Sequence, residues 1–277
     1  MLNLVDKLIL LYELTLTVHI LLFNHNIANW VDHIQLNIII FIWVFISAWS
    51  VKYFHRQPFK FIHTFYPLFL LAWHYPQACE LRYSVIPMNL DSLFSKWDLI
   101  LFRVPLYTVI PEKLNLFFLE IFHFIYFSYY LMLGIPVWIV YKSRHPKIPE
   151  YIFVITLTCI IHQWLIILIP VNGPVPLRPE IIPKGLIFIP IMDFIYRLDA
   201  GGGAFPSLHV AGALITCLYA NQFYPRLKPL WIFAFIGIAS STFICSYHYP
   251  LDSLAGGITG WISYIYLPRI YDYVHTS

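Results

Sequence analysis

The sequence predicts an all-α membrane protein, a multi-helix transmembrane bundle of about seven or eight segments, and three observations carry that expectation. Hydrophobic residues make up 60% of the chain and charged residues 11%, against roughly a quarter charged in soluble domains, so lipid must be the main solvent of its surface. Apolar runs near the ~20 residues needed to cross a bilayer recur from end to end, which excludes a soluble domain with a single anchor. Nine Trp and twenty Tyr supply the rings that sit at membrane interfaces, one end buried and the other wet. The net charge of +3 is dispersed without any run of Lys or Arg, which excludes nucleic acid as a partner.

Polar and proline-bearing breaks delimit the elements in order. The first half holds segments near Lys7–Phe23, Ile34–Val51, Phe61–Ala78 and Leu114–Tyr141. The second half holds Tyr151–Ile169, Ser207–Phe223, Pro229–Tyr247 and Pro250–Leu267. The first run carries Glu13 and His19 and lacks a small-residue cleavage site, so it reads as a retained helix rather than a signal peptide. Residues 1–277 form one integral membrane domain in this reading, with no repeat and no linker. Cys79, Cys159, Cys217 and Cys245 show no metal-type spacing and read as small core residues.

Two long breaks remain, Cys79–Lys113 and Pro170–Pro206. With eight crossings both fall on one side of the bilayer, together with the tight Tyr247–Pro250 break. The opposite side and the termini carry Lys7, Lys52, Arg56, Lys60, Lys142, Arg144, Lys147, Arg226, Lys228 and Arg269, which the positive-inside rule makes cytoplasmic. The long breaks then face outward. Within the first, Asp91–Phe102 is amphipathic, with Leu93, Phe94, Trp97 and Ile100 on one face, suited to lying in the interface or to covering the bundle as a lid.

The chemistry concentrates in three stretches on that outward side. Gly201-Gly202-Gly203-Ala204-Phe205-Pro206-Ser207-Leu208-His209 is a glycine-rich turn running into an apolar helix with Ser207 as N-cap and His209 in its first turn. Helix N-termini offer unpaired N–H groups, and glycines let the backbone approach an anion, so the stretch reads as an anion cradle; the bland alternative is a helix start with a chance histidine. In His248-Tyr249-Pro250-Leu251-Asp252, proline suits the first helical position and the Asp252 carboxylate can reach back to His248, fixing its tautomer for nucleophilic attack. Asp252 reads equally well as a cap on the helix dipole. Arg178, in the proline-rich Pro170–Pro179 stretch, can grip phosphate bidentately or snorkel at a helix end.

Taken together and in this order, the stretches resemble the type 2 phosphatidic acid phosphatase superfamily. Arg178-Pro179 stands for its Lys-to-Arg-Pro motif, Pro206-Ser207-Leu208-His209 for its Pro-Ser-Gly-His motif, and Ser241 through His248 to Asp252 for its third. Leu208 in place of glycine, the Phe205-Pro206 lead-in, the Pro170–Pro174 turn and Tyr126-Phe127-Ser128-Tyr129-Tyr130 look closest to the inositol phosphorylceramide synthase-like branch. The likeness runs from about Asp91 to Leu267. It implies a six-helix catalytic core within residues 61–277, with residues 1–60 adding N-terminal helices.

The resemblance further implies that His248 attacks phosphorus, that His209 protonates the leaving alkoxide and that Asp252 orients His248. Arg178, Ser207 and the backbone around Gly203 and Phe205 would hold the phosphoryl oxygens without a metal or other cofactor. Partners would be membrane lipids: a phospholipid or lipid phosphate donor, with ceramide or a diacylglycerol-type lipid as acceptor or product. Two departures stand out, because Val171 and Thr242 occupy positions where the family carries cations. A phosphodiester with one charge needs less compensation than a monoester dianion, which favours headgroup transfer over phosphatase action. Arg197 and Lys184 lie in the same break, and Arg197 is the better placed to replace a lost charge.

Two other classes compete. Glu120, His123 and His162 within apolar segments would mark a polar pathway in a transporter, although no inverted repeat accompanies them. The His-x-x-x-Asp spacing would also suit two metal ligands one turn apart.

Overall fold

The computed structural model describes residues 2–141, 145–198 and 201–276, and among them there is no strand. Lys142 and Arg144, counted above for orientation, lie outside the described residues. Twelve α-helices follow in order: α1 (Leu4–Leu22), α2 (Trp30–Phe54), α3 (Gln57–Leu81), α4 (Asp91–Phe102), α5 (Leu106–Lys113), α6 (Leu116–Tyr141), α7 (Lys147–Leu168), α8 (Arg178–Ile181), α9 (Phe188–Leu198), α10 (Leu208–Phe223), α11 (Lys228–Ile244) and α12 (Pro250–Thr276).

Eight of these are the expected segments, their ends displaced by a few residues except at the C-terminus, where α12 continues to Thr276. Among the described residues four spans are long and apolar enough to cross a membrane unaided: Trp30–Phe54, Leu116–Tyr141, Lys147–Leu168 and Pro225–Ile244, the last being α11 with the 3₁₀ turn before it, with mean hydropathy of 1.6 to 2.1. Two of the other four fall short for identifiable reasons. Helix α10 has only 16 residues, and α1 carries Asp6, Glu13 and His19, all buried. Each of those polar groups has a partner within the protein: Tyr66 of α3 donates to Asp6 at 2.6 Å, His74 meets Glu13 Oε1 at 2.6 Å, and His19 meets Ser84 at 2.7 Å. Pairing of this kind is what a low-dielectric interior demands of ionisable groups.

The outer helices turn large apolar side chains outward, as α2 does with Ile38, Ile39, Ile42 and Ile46 and α11 with Leu230, Phe233 and Ile236. An integral membrane protein needs such a surface, because lipid is the solvent around it. The core sits on α7 and α10, whose residues are mostly buried. Helix α10 packs against α6, α7, α11 and α12, while α1 and α2 pack on the flank formed by α3 and α7.

Close packing of α10 on α12 rests on glycine. A Cβ on Gly256 would come within 2.3 Å of the Ser207 carbonyl oxygen, and one on Gly260 within 2.9 Å of Ala211 Cα. The Gly256-x-x-x-Gly260 spacing places both on one helix face, the arrangement that lets membrane helices touch backbone to backbone. This contact brings the first turn of α12 beside the first turn of α10.

Candidate active site

The two long breaks and the α11–α12 turn meet at one end of the bundle. Leu90 N–H donates to Pro170 O at 2.8 Å, and the Asp91 carboxylate accepts from the N–H groups of Asn172 (3.1 Å) and Gly173 (2.8 Å). Asp98 accepts from Leu251 N–H at 3.0 Å, so α4 caps the start of α12. Burial raises the carboxyl pKa of both Asp91 and Asp98, and the donated N–H groups oppose that shift. Phe94 of α4 is buried against Phe205, whereas Trp97 and Ile100 remain exposed. Helix α4 is thus both a cover over the loops and an apolar surface.

His248 lies in the tight turn after α11. Ser246 takes a left-handed φ of 56°, held by its hydroxyl on Tyr107 O at 2.7 Å, and the N–H groups of Tyr247 and His248 both return to Thr242 O. The His248 ring is buried, and its Nδ1 sits 2.9 Å from the Ala204 carbonyl. A carbonyl only accepts, so Nδ1 carries the proton and Nε2 presents a bare lone pair. Nε2 faces the Ser207 hydroxyl at 3.5 Å.

The expected hold of Asp252 on His248 is looser than its capping role. Asp252 Oδ2 is 3.7 Å from Nδ1, within ion-pair range and beyond hydrogen-bond distance, while the same oxygen accepts Tyr249 N–H at 2.9 Å. The carboxylate therefore caps α12 and lends charge to the imidazole, and a main-chain carbonyl fixes the tautomer. Ser207 is the N-cap of α10, its hydroxyl 3.4 Å from Val210 N–H, and its own N–H donates to Asp252 O at 3.0 Å.

His209 follows two residues later, in the first turn of α10, and its ring centroid is 5.8 Å from that of His248. Tyrosines enclose it. Tyr126 stacks on the ring at 4.7 Å with its hydroxyl 3.2 Å from Nδ1, Tyr129 lies 4.6 Å away, and the Tyr130 hydroxyl is 3.4 Å from Nε2. Tyr126 also meets the Tyr196 hydroxyl at 2.6 Å. Sequence reasoning noticed Tyr126–Tyr130 only as a likeness; their four-residue recurrence along α6 is the signal that puts Tyr126 and Tyr130 on one face.

The structure does not deliver Arg178 as an open phosphate grip. It is buried, with Nε on Cys245 O (2.9 Å), Nη1 on Asp193 (2.8 Å) and Nη2 on His123 Nε2 (2.9 Å), and its guanidinium lies 4.0 Å from the Tyr247 ring centroid. All three nitrogens are engaged, and Tyr247, not a histidine of the pair, is its neighbour on the site side. Asp193 and His123 had no sequence signal as its partners. Arg197 is exposed and donates to Asp193 O in its own helix, so no contact brings it to the histidines.

Gly203 lies in a left-handed turn, and Phe205 packs on Phe94 of α4. Gly201, Gly202 and Gly203 all take positive φ (64°, 94° and 69°), and a Cβ on Gly203 would meet Cys79 Sγ at 2.7 Å. The cation positions vacated at Val171 and Thr242 are sealed: Val171 is buried with its carbonyl on Ala204 N–H, and the Thr242 hydroxyl is 2.6 Å from Ser253. The remaining ionisable groups of the apolar segments have local partners. Glu120 caps α9 through the N–H groups of Ile187 (3.1 Å) and Phe188 (2.6 Å), and His162 bonds Thr158 O (2.8 Å) and Thr259 (3.0 Å).

Beside His209 opens a cavity of about 640 Å³, lined by Phe65, Leu68, Tyr129, Tyr130 and Trp138 among others. Its walls are almost wholly apolar and suit hydrocarbon. The four cysteines are buried thiols, and none of them forms a disulfide. Among the described residues no three His, Cys, Asp or Glu side chains cluster closely enough to hold a metal ion.

A family model described as the PAP2 superfamily matches residues 113–266, more than half of the chain. Over 64 residues the chain is 36% identical to the inositol phosphorylceramide synthase catalytic subunit of Saccharomyces cerevisiae, a match covering 23% of this chain and 16% of that protein. No solved structure matches the chain.

Proposed function

From the premise that this chain belongs to the PAP2 superfamily, we propose that it is a membrane-embedded phosphotransferase that moves a phospho-headgroup from a phosphodiester lipid to an alcohol acceptor. The observation that carries the proposal is the His248 imidazole, pinned through Nδ1–H to Ala204 O so that Nε2 is bare, with His209 across from it at 5.8 Å. In the first step Nε2 bonds to phosphorus as the bond to the lipid alkoxide breaks, and His209 gives that alkoxide its proton. In the second, the acceptor hydroxyl passes its proton to His209 as its oxygen displaces His248 from phosphorus.

Hydrocarbon of the lipid would occupy the apolar cavity that His209 lines. Donor and acceptor are the membrane lipids named above, a phospholipid and a ceramide or diacylglycerol-type alcohol. The engagement of Arg178 with Asp193, together with Val171 and Thr242, supports a substrate of single negative charge over a monoester dianion. We assign residues 61–277 to the catalytic core, residues 1–60 to a supporting pair of helices, and the site to the extracytoplasmic face with cytoplasmic termini.

The test supplies purified protein with a headgroup-labelled phosphoinositide or phosphatidic acid, with and without ceramide, and follows whether label passes to ceramide or to water. Transfer that requires ceramide, survives a chelator and vanishes in His248→Ala supports the proposal. Release to water alone makes the protein a lipid phosphatase working through the same residues, and full turnover by His248→Ala defeats the mechanism.

A further inference from the structure

The proposed anion is to be held where two family cations are replaced and each guanidinium nitrogen of Arg178 already has a protein partner. Another arginine stands at the glycine turn. Arg82 closes α3, and its Nε donates to Asn172 Oδ1 at 3.0 Å while Nη1 donates to the Cys79 carbonyl. A Cβ on Gly202 would come within 2.8 Å of both Arg82 Nε and Cζ, so the guanidinium lies directly against the turn. Two residues on, Ala204 O holds His248.

Its local environment leaves part of the fork open. Capping of α3 accounts for Nη1, and the Asn172 contact accounts for Nε. Among the described residues Nη2 has no hydrogen-bond partner, whereas each nitrogen of Arg178 has one. The side chain is half-buried, and its guanidinium carbon lies 4.6 Å from the Tyr83 ring centroid, which limits its swing. A guanidinium held on two sides and open on the third is preorganised for one anionic oxygen.

We propose that Arg82, through Nη2 at the Gly201–Gly203 turn, binds the phosphoryl group of the lipid headgroup and replaces the positive charge absent at 171 and 242. The proposal rests on the functional reading above and deepens it: the single charge of Arg82 matches the single charge of a phosphodiester. Nothing in the family motifs points to this position, because it lies at the end of α3, outside the matched residues 113–266.

The experiment compares the wild-type chain, Arg82→Gln and Arg82→Lys in detergent, using inorganic phosphate as the probe and thermal unfolding as the readout, followed by steady-state turnover of the labelled phospholipid. Loss of a charge-assisted hydrogen bond should raise the half-saturating phosphate concentration and the lipid KM of Arg82→Gln by about tenfold or more, with the effect concentrated in KM. Arg82→Lys should recover affinity to within about threefold, because it keeps the charge and loses the fork. A glutamine variant that melts earlier but responds to phosphate at wild-type concentrations has lost only a helix cap, and the proposal fails. If the wild-type chain neither responds to phosphate nor turns over lipid, the functional reading falls and this proposal with it; an active wild type with an unaltered glutamine variant removes Arg82 alone.

Discussion

Gly256→Ala should damage the site from a distance, and the structure sets the size of the effect. The new Cβ would lie 2.3 Å from Ser207 O and 3.1 Å from the carbonyl carbon, both main-chain atoms with no rotamer to escape into. Ser207 O already accepts Ala211 N–H at 3.1 Å in the first turn of α10, so it cannot turn away without undoing that turn. Restoring contacts of 3.0 to 3.4 Å requires α12 to retreat by about 0.7 to 1.1 Å. That movement separates Asp252 and His248 from Ser207 and His209. Overpacking of this size costs about 1–3 kcal/mol of stability, and a displacement near 1 Å between reacting groups costs about a hundredfold in turnover. Gly257→Ala is the matched control, since its nearest neighbour, Val210 Cγ1, lies at 4.0 Å. Thermal unfolding and lipid turnover should show the first variant impaired in both and the second unimpaired. Wild-type turnover in Gly256→Ala, or equal damage in both, would refute the claim that backbone contact between α10 and α12 sets the site.

Two further outcomes follow from contacts outside the sequence motifs. Tyr126→Phe removes the hydroxyl 3.2 Å from His209 Nδ1; a neutral hydrogen bond of about 1 kcal/mol predicts a roughly five- to tenfold fall in turnover and an altered pH–rate profile, and an unchanged profile would show that the tyrosine only packs. Glu120→Gln weakens the cap that holds the start of α9, which carries Asp193; unfolding should come earlier by about 1–2 kcal/mol, and protection of the α9 amides from hydrogen exchange should fall, whereas unchanged exchange would mean that packing alone holds the helix.

The helices were legible because hydropathy is a property of each residue and adds along the chain. Breaks at Pro170, Ser207 and Pro250 place helix ends within a few residues, and even the non-spanning α4 falls on its amphipathic stretch at Asp91–Phe102. Of the site, the residues bound to a local motif were legible in the same way: Ser207 caps α10, and Pro250 opens α12 with Asp252 in its first turn. What escaped were the individual contacts whose partners lie far along the chain. Ala204 contributes a carbonyl to His248, and a carbonyl leaves no mark in the sequence because every residue has one. Arg178 reads as a free cation until Asp193 and His123 are folded onto it, and Arg197 reads as its helper until its own helix takes up its side chain.

The glycines were only partly legible for the same physical reason. Gly201–Gly203 signal a turn by their number, and the turn is there, with positive φ at each. Gly256 and Gly260 carry an equally local signal, a small residue every fourth position, whose meaning appears only when another backbone lies against it. Their contact fixes α12 on α10, and with it the distance between the turn that holds His248 and the cap that precedes His209. The histidines name the chemistry, but two side chains that are absent set the geometry in which it can occur.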